Sequence, residues 1–91
     1  MGNKAHRLDD LNTADAAITN VAQTGNPVKC NTKLLSVDGS TVADHGDHTG
    51  IKTANGSLTD NAGGIPVNSE TDADTCAHTR TGGSGDVNIG G

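Results

Sequence analysis

The chain has 91 residues, a formal net charge of −5 and only 31% hydrophobic residues, with no Phe, Tyr or Trp. This length supports one small domain, residues 1–91, which buries only about 60 to 65% of its unfolded surface and lacks the roughly 150 to 250 Å² that each aromatic brings to a core. Apolar runs are far short of the about 20 residues of a membrane span, and the six basic residues are scattered, so a transmembrane protein and a nucleic-acid binder, which needs a clustered basic face, are both disfavoured.

A domain with so thin a core is normally stabilised by disulfides, a structural metal or assembly with a partner. The first twenty residues contain no apolar stretch of the kind found in a secretory leader. A Cys30–Cys76 disulfide, which needs an oxidising compartment, is therefore the weaker expectation.

In chain order, residues 8–21 combine several Ala with Leu8, Leu11, Ile18 and Val21, a partial helical pattern that predicts one short helix or turn. Elsewhere the chain's 13 Gly residues punctuate segments rich in Thr, Ser, Asn, Asp and Val, which predicts short strands between tight turns and an all-β class. Three segments repeat. Gly2-Asn3-Lys4-Ala5 with Asp10, Gly39-Ser40-Thr41-Val42 with Asp47, and Gly64-Ile65-Pro66-Val67 with Asp72 share a leading Gly, a small or β-branched apolar residue and a closing Asp. Each is followed by a loop and a Gly-led segment, beginning at Gly25, Gly56 and Gly85. Such self-similarity marks units that bury a face only when they are stacked together. Residues 28–35 read as an insertion.

Gly64-Ile65-Pro66-Val67 followed by Asp72 and Asp74-Thr75-Cys76-Ala77-His78 resembles the repeat of the PAAR family, as does Asp38-Gly39-Ser40-Thr41-Val42-Ala43-Asp44-His45-Gly46-Asp47-His48. Asp86-Val87-Asn88-Ile89-Gly90-Gly91 is similar to the family's closing strand, and its hallmark tetrapeptide survives only as Lys4-Ala5-His6-Arg7. The resemblance spans nearly the whole chain in short, degenerate motifs. It implies a conical domain of short strands from three pseudo-repeats. The base of such a cone sits on a trimeric β-helical spike, of a phage tail or of a type VI secretion system, and its apex is pinned by one metal ion, usually zinc. The implied role is a structural, non-enzymatic tip that meets the target membrane transiently. Location in a phage virion is preferred, with secretion by a type VI system as the alternative.

His45, His48, Cys76 and His78 fall in the turns after the second and third repeats, which the implied cone brings together. Cys76 and His78 sit at i and i+2, a spacing that puts both side chains on one face of an extended backbone. Four such ligands suit a closed tetrahedral zinc site with no open position for catalysis; three histidines also suit iron. Asp15, in the first turn, competes for the fourth place, and each residue also has an ordinary reading as a turn residue. His6 is expected to be an ordinary exposed or packed histidine, and Cys30 a small buried hydrophobe. Two other classes stay open: a calcium-binding repeat protein, from Gly82-Gly83-Ser84-Gly85-Asp86, and a small Cys/His enzyme built on Cys76 and His78.

Overall fold

The computed structural model describes residues 3–58 and 60–89. Gly2, Thr59, Gly90 and Gly91, which figure in the repeats and the closing strand, lie outside the described residues. The fold is all-β. Among the described residues eight strands follow one another: β1 (Asn3–Lys4), β2 (Ile18–Asn20), β3 (Lys29–Cys30), β4 (Lys33–Leu34), β5 (Thr41–Val42), β6 (Asn61–Ala62), β7 (Ile65–Pro66) and β8 (Asn88–Ile89). They pair antiparallel as β1–β8, β2–β5, β3–β4 and β6–β7.

Backbone hydrogen bonds reveal a pseudo-three-fold organisation. The N–H of His6 donates to the carbonyl of Asn68 (3.0 Å), that of Asn68 to Ser36 (2.8 Å), and that of Ser36 back to His6 (2.9 Å), closing a ring. Bridges Arg7↔Leu35, Val37↔Val67 and Ser69↔Ala5 surround it. The same three-way pattern recurs on both sides. The N–H groups of Ala5, Leu35 and Val67 donate to the carbonyls of Val87, Val28 and Asp60, and those of Asp9, Gly39 and Thr71 to Ile18, Thr53 and Arg80. Asp9, Gly39 and Thr71 also share a left-handed backbone, with φ of 74°, 91° and 78°.

Each sector thus carries an antiparallel ladder before its ring strand and a tight turn after it. The ladders are β8–β1, β3–β4 and β6–β7. The turns are residues 12–16, 45–48 and 74–78, closed by their own backbone hydrogen bonds. β3–β4 and β6–β7 are hairpins whose two turn residues, Asn31-Thr32 and Gly63-Gly64, all have positive φ, the conformation that matches strand twist in two-residue loops. The first ladder is joined by no turn: it pairs the first described strand with the last.

Two expectations change. Residues 28–35 are not an insertion but the ladder and ring strand of the middle sector. The middle repeat is accordingly set by Leu35, not Val42, as the partner of Ala5 and Val67. Of the short helix or turn expected in residues 8–21, the structure has the turn, at residues 12–16, and no helix. Asn12 Oδ1 accepts the N–H groups of Ala14 (2.8 Å) and Ala16 (3.1 Å), and this local bonding competes with helix while Asp15 turns the chain at φ 56°.

The core is small. One cluster holds Ala5, Cys30, Leu35, Val37, Ala62 and Val67, and a second Ala16, Ile18, Val42 and Ile51. Polar groups fill the remainder in bonded sets, as burial requires: Ser36 Oγ donates to Asn68 Oδ1 at 2.7 Å, and Arg80, 1% exposed, pairs with Asp74, 3% exposed, at 2.8 Å. Close backbone approach explains two glycines. A Cβ on Gly83 would lie 2.8 Å from Lys4 Cβ and 2.9 Å from the Ala5 carbonyl; one on Gly56 would lie 2.7 Å from Pro66 Cβ.

Candidate metal centre

The turn of residues 45–48 is a two-residue hairpin in which the N–H of each histidine donates to the other's carbonyl, at 3.0 and 2.8 Å. Gly46 at φ 55° permits the reversal, and the facing pair sends both imidazoles to one side. In the turn of residues 74–78 the N–H of Asp74 donates to His78 (2.9 Å) and that of Ala77 to Asp74 (2.9 Å), with Ala77 left-handed at φ 70°. The Arg80–Asp74 pair, with Asn12 Nδ2 donating to Asp74 at 3.4 Å, anchors the root of this turn in the interior. The two turns are docked by Lys52, whose carbonyl accepts from the Thr75 N–H (3.0 Å) and whose N–H donates to Thr75 Oγ1 (3.1 Å).

This docking brings His45, His48, Cys76 and His78 together, with one ligand atom from each lying within 4.8 Å of all the others. The three imidazole centroids form a near-equilateral triangle with sides of 5.0, 5.0 and 5.1 Å. His45 Nδ1 lies 2.8 Å from the Ala43 carbonyl, so Nδ1 carries the proton and Nε2 turns its lone pair inward. A backbone carbonyl on the far nitrogen is the outer-shell device that orients a metal-binding histidine.

His45 Nε2 is 3.1 Å from His78 Nδ1 and 3.5 Å from Cys76 Sγ, which is 3.3 Å from His78 Nδ1. A tetrahedron with metal–nitrogen bonds of about 2.05 Å and a metal–sulfur bond of about 2.3 Å has edges of roughly 3.3 Å between nitrogens and roughly 3.5 Å from nitrogen to sulfur. The three separations among His45, Cys76 and His78 lie within about 0.2 Å of those edges. His48 Nδ1 is buried with no hydrogen-bond partner among the described residues, a cost of about 1 to 3 kcal/mol that coordination would remove. The cluster of His45, His48, Cys76 and His78 therefore could hold a metal ion.

Asp15 does not join them. It is exposed in the first turn, whose inward position is taken by Asn12, 2% exposed. Cys30 is buried in β3, and both cysteines are free thiols. His6 is packed inside at 1% exposure. Sequence reasoning missed Arg80 and gave Asp74 no role; a buried ion pair in one sector, where the others place Ile18 or Thr53 and Asn12 or Val42, leaves no periodic signal. An open cleft of about 490 Å³ lies elsewhere, lined by Ser57, Leu58, Ser69, Asp72 and Ile89 among others, and includes no member of the cluster. Comparison with protein-family models, with curated proteins and with solved structures finds no match to this chain.

Proposed function

We propose that this chain is a metal-stapled tip for a trimeric β-helical spike of a contractile injection machine, a phage tail before a type VI secretion system. The observation that carries the reading is the pairing of a four-ligand cluster at the turn end with a pseudo-three-fold backbone. A chain built of three similar sectors offers one similar face to each subunit of a three-fold partner, in the manner of symmetric interfaces. The ladder end offers the material for such a seat: Val28 and Val87, equivalent acceptors in the ring pattern, are 41% and 38% exposed, and Leu58 beside Asp60 is fully exposed.

In this reading the ion, zinc by preference and iron as the alternative, is structural. Binding free energies of about 10 to 16 kcal/mol for zinc held by small peptides are as large as the whole stability expected of a domain, about 5 to 15 kcal/mol. The staple would thus hold together two turns that the thin core cannot secure. Small side chains suit a taper, and a saturated ion confers stiffness without reactivity.

The test is the metal content of the purified, unsupplemented chain by mass spectrometry, beside Cys76→Ser and His78→Ala. About one zinc or iron per chain, lost in both variants together with melting temperature, supports the staple. A metal-free chain that folds as well as the variants sinks it. Native mass spectrometry with a trimeric β-helical spike tests the seat separately: one tip per trimer is expected, and any three-to-three complex refutes it.

A further inference from the structure

His6 takes no part in the apical cluster, yet it is the most enclosed histidine, at 1% exposure; the apical three are only half-buried. Its backbone makes two of the three hydrogen bonds of the central ring. Its Nδ1 lies 2.7 Å from the Gly82 carbonyl, so Nδ1–H donates there. The N–H of Gly82 in turn donates to Leu11. One neutral imidazole thus ties the ring to the segment of the third sector that returns from the turn of residues 74–78.

The charged groups that act on this imidazole are Asp10, Arg80 and Asp74, with Arg7 adjacent on its own strand. Neither carboxylate is free to receive a second cation. Asp10 is engaged by the Arg7 backbone N–H, Nε and Nη2 at 2.8, 2.9 and 3.1 Å, and Asp74 by Arg80 and Asn12. Arg80, with its side chain wholly buried, has an Nη2 that finds no hydrogen-bond partner among the described residues and stands 3.8 Å from Asp72. A proton added to His6 would place a second positive charge in a dry interior where the first is incompletely satisfied, an arrangement that costs several kcal/mol unless the chain opens.

We propose that His6 is an acid-sensitive latch: neutral, it locks the central ring to the third sector, and protonated, it releases that lock and loosens the fold. Burial, more than any neighbour, holds the His6 imidazole below its ordinary 6.5, against the opposing pull of the Gly82 carbonyl and Asp10. The unfolded chain therefore takes up this proton at higher pH than the folded one. The stability tied to neutral His6 is complete above about pH 6.5, declines as pH falls from there towards the depressed folded value, and is flat below it.

The test compares the full chain, as purified, with His6→Asn, whose amide retains a donor near the position of Nδ1. Denaturant unfolding is followed at pH 7.5 and 5.0, and the apical cluster contributes equally to both proteins. The wild-type folding equilibrium should fall about 10-fold more than that of the variant. An equal fall in both overturns the proposal. Titration of the His6 ring resonances in the wild-type chain gives a second readout that does not depend on the variant folding: a midpoint below 6.5 is expected, and a midpoint at or above 6.5 refutes the latch.

Discussion

Replacing Asp74 by Ala would leave the buried Arg80 guanidinium without its hydrogen-bonded counter-charge, with only the half-exposed Asp72 at 3.8 Å. Both side chains are essentially inaccessible, at 0% and 1%, and meet at 2.8 Å. Arg80 Nε is bonded to the Ser69 carbonyl at 2.7 Å, so the side chain is held in place and cannot swing to solvent. Removing one member of such a pair costs about 3 to 5 kcal/mol. For a domain of this size each kcal/mol lowers the melting temperature by about 4 to 8 °C, so a fall of roughly 12 °C or more is expected. Because Asp74 also accepts the N–H of Ala77 through its carbonyl and roots the turn that bears Cys76 and His78, metal affinity should fall as well. The assay is urea unfolding with and without added zinc, extended to Arg80→Met and the double variant. The double variant, which leaves no unpaired charge, should recover much of the loss. A single Asp74→Ala change that costs less than about 1 kcal/mol, or a double variant in which the two losses simply add, would refute the assignment of this pair as the foundation of the turn.

Asp15→Ala should leave metal content unchanged, by mass spectrometry, because Asp15 stands outside the cluster. Gly83→Ala should cost about 1 to 3 kcal/mol by overpacking against Lys4 and Ala5, whereas Gly85→Ala, whose added Cβ meets nothing within 4 Å, should stay within about 0.5 kcal/mol in the same denaturant assay. A circular permutant that opens the chain between Asn31 and Thr32 and joins Ile89 to Asn3 through an Asn-Gly turn should fold with wild-type amide dispersion, since β8–β1 has the register of the two natural hairpins.

The class, the number of sectors and the clustering of His45, His48, Cys76 and His78 were legible because glycine turns and His and Cys residues leave local signals. The register of the middle sector was not. Aligning the repeats on a closing Asp fails there because a serine does the same work. Ser40 Oγ lies 3.4 Å from the Val37 N–H and donates to its carbonyl at 2.7 Å, where Asp10 accepts the Arg7 N–H in the first sector. The side chain differs, but the turn and its positive φ at Gly39 persist. The residue after each apolar ring position, namely His6, Ser36 and Asn68, shares backbone geometry alone, so no residue type marks the ring in the sequence. The hairpin of residues 28–35 was obscured for a related reason: its turn uses Asn31-Thr32 at φ 53° and 69°, and Thr is an uncommon carrier of a left-handed conformation.

The ladder that joins β1 to β8 governs when this chain can fold at all. Among the described strands β1 is synthesised first and β8 last, and the ring bond from His6 to Asn68 likewise waits for the third sector. No sector can be completed during synthesis by neighbours close in sequence, so the entropy of closing the longest loop falls due in a single late step. Nascent chains shorter than the full set of strands should remain protease-sensitive, and protection should arrive abruptly with Asn88 and Ile89.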